Sequence, residues 1–185
     1  MNTYVLNRNN LKFVSSLFET LNIEYTTFYG TLLGIHRDGD LIPHDDDIDI
    51  LVDAKYFKVI THLFKSNLII PNVRFFGDGK NFFQYRPKDD SYVDFYFYHS
   101  TSNNYVVDKW NFLANPKNPQ SHLFIPKPLL KTQYIDMNGF KTKIPQDPEA
   151  ACKFLYGERF RETLVKWEDY ESGILNNIPH HKYFI

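Results

Sequence analysis

The sequence predicts a mixed-sheet domain of the α+β or α/β kind. Strand-like and helix-like stretches are interspersed, several strand-like stretches follow one another directly, and no linker or internal repeat divides the 185 residues. Direct succession of strands disfavours a doubly wound parallel sheet, which needs a helix at each crossover. A chain of this length suits one core, so residues 1–185 are expected to form a single domain.

The elements follow in order. Leu11, Val14, Leu17, Phe18 and Leu21 recur at helical spacing and predict an amphipathic first helix. Residues 24–29 read as a short strand, 31–37 as a short helix and 39–43 as loop. From residue 47 to 52 acids alternate with aliphatics, the period of a half-buried strand. Asp53 is suited to cap the next helix, whose apolar face is Tyr56, Phe57, Ile60, Leu63 and Phe64. Residues 73–76, 82–86 and 92–98 read as strands and 77–80 as a turn. Pro and Asn make residues 115–128 mostly loop. Asn138-Gly139 centres a hairpin of 134–137 with 140–144. Asp147-Pro148-Glu149 starts a helix and Gly157 stops it.

Composition removes several function classes. A formal net charge of −1 leaves no basic stripe for a long polyanion, so no nucleic-acid partner is expected. The single cysteine, Cys152, rules out an internal disulfide framework and a Cys-based zinc site. The first ten residues are polar and no apolar run reaches membrane-spanning length, so a cytoplasmic protein without a membrane span is expected.

The chemistry centres on His44-Asp45-Asp46-Asp47-Ile48-Asp49-Ile50. On a strand, Asp47 and Asp49 share one face while Ile48, Ile50 and Val52 share the other. Two carboxylates side by side on a half-buried strand repel, and such pairs protonate, take a basic partner or bind a cation. Mg²⁺ and similar hard cations take oxygen ligands. The rival reading is an acidic surface loop, against which the acid–aliphatic alternation counts. A third acid, Asp94, sits in the aromatic strand of residues 92–97, although strands disfavour Asp. If the two strands are neighbours, the three carboxylates form one site able to hold a metal against a phosphate; otherwise Asp94 is a buried acid bonded to Tyr or backbone. Gly30-Thr31, at a strand-to-helix turn, offers free N–H groups to an anion or is simply a turn. Arg37 is a charge partner for a ligand, for Asp45 and Asp46, or for another surface acid. Gln84 and Arg86 share a strand face, and His44, Gln84 and Arg86 are left without an assigned role. His180 and His181, near the end, are read as inert.

The run from residue 30 to 50, GTLLGIHRDGDLIPHDDDIDI, resembles the signature of the LicD/fukutin-like transferases, which approximates GTLLGxxRxGxxIPWDDDIDI. The Asp94 strand and the Asp147-Pro148 to Tyr156-Gly157 segment are similar to later parts of the same family, so the likeness spans roughly residues 11–160. The resemblance implies an α+β, nucleotidyltransferase-like fold of the DNA polymerase β superfamily, a mixed sheet flanked by helices. It implies transfer of phosphocholine or a polyol phosphate from a CDP-linked donor to a hydroxyl of a glycan or glycolipid. Carried over by position, Asp47 and Asp49 would be catalytic metal ligands for Mg²⁺ or Mn²⁺. Asp94 would be the third carboxylate, ligand or base. Gly30 and Thr31 would cradle donor phosphate and Arg37 would hold it. The usual Trp before the acids is His44 here, and Asp38 and Asp40 replace the more usual His and Gly. The same acids would also serve a nucleotidyltransferase attacking the α-phosphorus of a nucleoside triphosphate, or an Asp-x-Asp glycosyltransferase. A non-catalytic binding module on a decayed scaffold is the reading from another class.

Overall fold

The computed structural model describes residues 2–66, 74–77, 79–88, 91–110 and 122–162. Helix α1 (Thr3–Thr20) opens the chain, with the Asn2 side chain accepting the Tyr4 N–H at 3.0 Å. Its inward stripe includes Leu11, Val14 and Phe18, all fully buried. The helix starts well before Leu11 because Asn7 continues that stripe one turn earlier and is itself 1% exposed. A polar residue at an inward position hid this turn from the apolar periodicity.

Strand β1 (Tyr25–Thr27), helix α2 (Tyr29–Asp38) and strand β2 (Asp49–Asp53) follow. The strand predicted over 24–29 is shorter because Tyr29 turns into the left-handed region (φ 46°) and opens α2. Asp53 caps as predicted, accepting the Lys55 N–H at 2.8 Å, but it caps a short 3₁₀ turn (Ala54–Tyr56) that leads into α3 (Phe57–Lys65). Strands β3 (Arg74–Phe76), β4 (Phe82–Lys88) and β5 (Ser91–Ser100) match the three predicted.

Two strands were not foreseen: β6 (Tyr105–Asp108) and β7 (Leu123–Pro126). The second corrects the reading of 115–128 as mostly loop. Leu123 and Ile125 alternate inward, and Pro126 stands at the last position of a strand whose described pairing is to β6 alone, so its missing N–H breaks no ladder. Residues 111–121 of that stretch, and His180 and His181, lie outside the described residues.

The hairpin of β8 (Thr132–Asp136) and β9 (Lys141–Pro145) forms as predicted, with Asn138 (φ 52°) and Gly139 (φ 105°) both left-handed at its tip. Helix α4 (Pro148–Tyr156) is capped by Asp147, whose carboxylate accepts the Ala150 N–H at 2.9 Å.

Seven strands make one sheet in the order β1-β2-β5-β4-β3, with β6 pairing the far half of β5 and β7 pairing β6. Only β2 and β5 run parallel among the described pairs. One sheet face carries Ile50, Val52, Phe83, Tyr85, Phe95 and Phe97 and packs against α1 and α3. Phe18 meets Phe95 at 5.7 Å between ring centroids, and Phe64 meets Tyr85 at 4.6 Å and Phe95 at 5.2 Å. These aromatic contacts fill the core with few small residues. The opposite face carries a polar row across three strands. Asp49 on β2 pairs in register with Asp94 on β5, which pairs with Gln84 on β4. The next row on that face is Leu51, Tyr96 and Phe82.

Asp147→Ala removes the α4 cap and is expected to cost about 1 kcal/mol. It would be read in urea unfolding as a lower midpoint with an unchanged slope.

Candidate active site

The acid run lies between α2 and β2, and its backbone carries the β2–β5 pairing one step further toward the N-terminus. The Ile48 N–H donates to Tyr92 O (3.0 Å), the Tyr92 N–H to Asp46 O (3.0 Å) and the Asp94 N–H to Ile48 O (2.8 Å). Asp47 is therefore extended although it precedes the strand proper. With Asp49 and Asp94 side by side in the parallel register, Asp47, Asp49 and Asp94 each offer a carboxylate oxygen within 4.8 Å of the others. Asp45, Asp46 and Asp47 make a second such group among the described residues. Asp49 and Asp94 are 5% and 6% exposed, so little water shields the charges.

Asp49 is held from α2. The Thr31 N–H donates to Asp49 Oδ2 (3.3 Å), and the Asp49 N–H donates to Thr31 Oγ1 (2.8 Å). The carboxylate thus sits at the positive end of a ten-residue helix. Gly30 makes the approach possible, since a Cβ there would lie 2.9 Å from Asp45 Oδ2 and 3.3 Å from Asp49 Oδ2. The N–H and glycine read from sequence as a phosphate cradle face the protein's own carboxylates instead. Arg37, read as a phosphate clamp, is not brought to the acids. It stands in the last turn of α2, about 9 Å along the helix from Thr31, with its guanidinium on the Asp38 carboxylate at 2.7 Å. His44 is exposed in the loop. Gln84 stands opposite Asp94 in the β4–β5 register, and Arg86 donates through Nε to Gln84 Oε1 while its guanidinium lies 4.6 Å from the centre of the Tyr92 ring.

Three features went unread in the sequence. Asp45 folds inward against Gly30, with a carboxylate oxygen within 4.8 Å of one on Asp47. Tyr96, on the Asp94 face of β5, lies against Asp49, and the strand alternation could have found it. Tyr29 is a non-glycine residue at positive φ, a strained conformation of the sort that clusters at functional sites. Its hydroxyl donates to Asp108 Oδ2 at 2.5 Å and its ring packs edge-on against Tyr96 at 4.7 Å. Asp108 is fully buried and also accepts the Trp110 N–H at 2.9 Å, but it lies on a strand that sequence patterning did not reveal.

Residues 22–147, well over half of the chain, match the family described as LicD/FKTN/FKRP, nucleotidyltransferase domain. The chain belongs to that family. Its LicD-type domain has a nucleotidyltransferase-like fold. The lincomycin-bound lincosamide antibiotic adenylyltransferase LnuA is similar at a TM-score of 0.52 and 14% identity, over 75% of this chain and 79% of that one. An antigenic nucleotidyltransferase-like protein from Paracoccidioides brasiliensis gives a TM-score of 0.40 at 14% identity, over 78% of this chain and 60% of that one. No curated protein matches the chain. No helix among the described residues of this LicD-family chain is long and apolar enough to cross a membrane.

The electrostatics of the LicD-family acids follow from burial and crowding. Burial, reinforced by the charges of Asp49, Asp45 and Asp94, pushes the Asp47 carboxyl up to about 10. Burial, then Asp45 and Asp94, holds Asp49 well above the usual carboxylate range. Asp94 is pushed up to about 7 by burial, while the neighbouring Gln84 amide and the Arg86 charge pull it down. Asp94 Oδ1 is buried without a hydrogen-bond partner among the described residues. A buried carboxylate oxygen left unpaired, beside two further carboxylates, fits a hard divalent cation, which takes oxygen ligands and offsets their repulsion.

A carboxyl raised on folding binds a proton that the unfolded chain releases. Stability therefore falls as pH rises from the ordinary Asp value of 3.8 toward the folded value, about 7 for Asp94 and about 10 for Asp47. In chelator, Asp47→Asn is expected to gain thermal stability over the wild type as pH is raised from about 5 to about 9. Added Mn²⁺ should narrow that gap. A gap that does not change with pH would show that Asp47 is not held protonated.

Proposed function

We propose that the protein transfers a phosphate-linked group, phosphocholine or a polyol phosphate, from a CDP-linked donor to a hydroxyl of a glycan or glycolipid. The observation that carries this reading is the convergence of carboxylate oxygens of Asp47, Asp49 and Asp94 within 4.8 Å, with a buried Asp94 oxygen left unpaired among the described residues. Membership of the LicD/FKTN/FKRP family supports the transferase class.

Asp47 and Asp49 would hold Mg²⁺ or Mn²⁺, and Asp94 would complete the set. A cation bound there supplies positive charge against the donor diphosphate and the departing nucleotide. The protein's own groups do the rest. Thr31 and the α2 N-terminus fix Asp49, so the site needs little rearrangement when substrate arrives. The row of Leu51, Tyr96 and Phe82 borders the acids on one side and would limit water there. The acceptor oxygen attacks the phosphorus that bears the head group, in line with the bridging oxygen. A new O–P bond forms, the bond to the bridging oxygen breaks, and CMP leaves with that electron pair. Asp94, the third carboxylate, would either complete the cation's ligand set or take the hydroxyl proton as base.

Donor assays with CDP-choline, CDP-ribitol and CDP-glycerol, scored by CMP release in Mg²⁺ or Mn²⁺, test the reading. Asp47→Asn and Asp49→Asn are expected to fold and to lose turnover by about 10²-fold or more. A folded Asp49→Asn variant with wild-type turnover would remove the assignment. Pyrophosphate release from a nucleoside triphosphate, in place of CMP from a CDP-linked donor, would move the protein to nucleotidyl transfer on the same acids.

A further inference from the structure

We propose that Asn7 is a positioning residue for the acid site. Its carboxamide fastens the backbone of residues 45–47 in the extended form that aims Asp47 at Asp49 and Asp94. The inference rests on the cation-binding reading of those acids, and it concerns a residue outside the 22–147 family match.

The need for such a fastening follows from the topology. On β2, one edge is served by β1, whose pairing ends at Thr27 opposite Ile50, with a last bond from the Phe28 N–H to Asp49 O at 3.2 Å. There the chain leaves the sheet to form α2, so the carbonyls preceding Asp49 on that edge lose their strand neighbour. On the other edge β5 continues, taking Asp46 O and donating to Ile48 O. The two carbonyls stranded on the open edge belong to Asp45 and Asp47. Both accept from one side chain, as Asn7 Nδ2 donates to Asp45 O at 2.9 Å and to Asp47 O at 3.2 Å. Three consecutive acids repel one another, and among the described residues Asn7 alone donates to the carbonyls of Asp45 and Asp47.

The carboxamide is held in turn. Asn7 Oδ1 accepts the Ser91 hydroxyl, and Ser91 Oγ accepts Asn10 Nδ2 at 2.7 Å. Ser91 begins β5, the strand that carries Asp94. Asn7 therefore ties α1, the acid loop and the Asp94 strand together with both amide protons and its carbonyl used. It is 1% exposed and Ser91 is fully buried, so water does not replace these bonds when they are lost. No apolar residue of similar size supplies two donors, and Asp would set a carboxylate against two carbonyls.

The test is Mn²⁺ affinity of the full chain, read by electron paramagnetic resonance. Asn7→Ala and Asn7→Asp are expected to weaken Mn²⁺ binding by about 10–100-fold, the range for residues that orient a metal's ligands. Ser15→Ala is the control. It removes an equally buried bond of the same helix, from Ser15 Oγ to Thr142 Oγ1 at 2.9 Å, and should leave Mn²⁺ affinity at the wild-type value. Wild-type affinity in folded Asn7→Ala, or an equal loss in Ser15→Ala, would overturn the proposal. If Asn7→Ala does not fold, Ser91→Ala loosens the other end of the carboxamide and is judged by the same affinity. If the wild type binds no Mn²⁺, the cation reading fails, and the fastening is judged alone by amide exchange in chelator. There the Asp45 and Ile48 N–H groups, bonded to Ile42 O and Tyr92 O, should exchange about 10-fold faster in Asn7→Ala; unchanged exchange would overturn it.

Discussion

Like-charge repulsion among buried carboxylates is the constraint on which the site end of this fold depends. Asp47, Asp49 and Asp94 are crowded within 4.8 Å on the polar face of a sheet whose other face is a packed aromatic core. Such crowding costs folding energy and persists only if surrounding groups hold it in place. The helix start of α2 meets Asp49, the glycine at its first turn leaves room for Asp45, and Gln84 and Arg86 lean on Asp94. The only parallel strand pair described is the one that sets Asp49 beside Asp94. A parallel pair between strands far apart in sequence requires a crossover, and α3 with the β3–β4 hairpin provides it.

The division of labour between the two sheet faces explains why so aromatic a chain has a polar centre. On β5 the alternation of Val93, Phe95 and Phe97 with Tyr92, Asp94 and Tyr96 puts the core on one side and the acid row on the other. A one-residue slip of either strand would send its own acid, Asp49 of β2 or Asp94 of β5, into the hydrophobic core. The register is locked by the core itself, where Phe95 is in contact with Phe18, Phe64 and Phe83. Packing on the hidden face thus fixes the geometry of the chemical one.

Much of this was legible before any coordinates. The acid–aliphatic alternation around Asp47 and Asp49, the lone Asp94 among aromatics, the Asn138-Gly139 hairpin and the Asp147-Pro148 helix start are local patterns, and each has a local physical cause. What escaped is non-local. Asn7 looks like one more polar residue in a polar N-terminus, and only the meeting of α1 with the acid loop gives its amide two carbonyls to bond. Asp108 is recruited by Tyr29 from a residue 79 positions away. Gly30 and Thr31 read from sequence as a helix start open to an anion, but sequence could not say that the protein's own carboxylates lie beside it. Arg37 shows the converse, since nearness to the motif in sequence did not place it near the acids in space.

The proposed transfer requires that the three carboxylates hold a divalent cation and the diphosphate it would carry. Crystals soaked with Mn²⁺ and CDP, with anomalous scattering recorded at the manganese edge, address it directly. The expected result is an anomalous peak bounded by carboxylate oxygens of Asp47, Asp49 and Asp94, at about 2.0–2.2 Å, with the CDP diphosphate on its open side. A peak elsewhere on the surface, or CDP bound away from these acids, would contradict it.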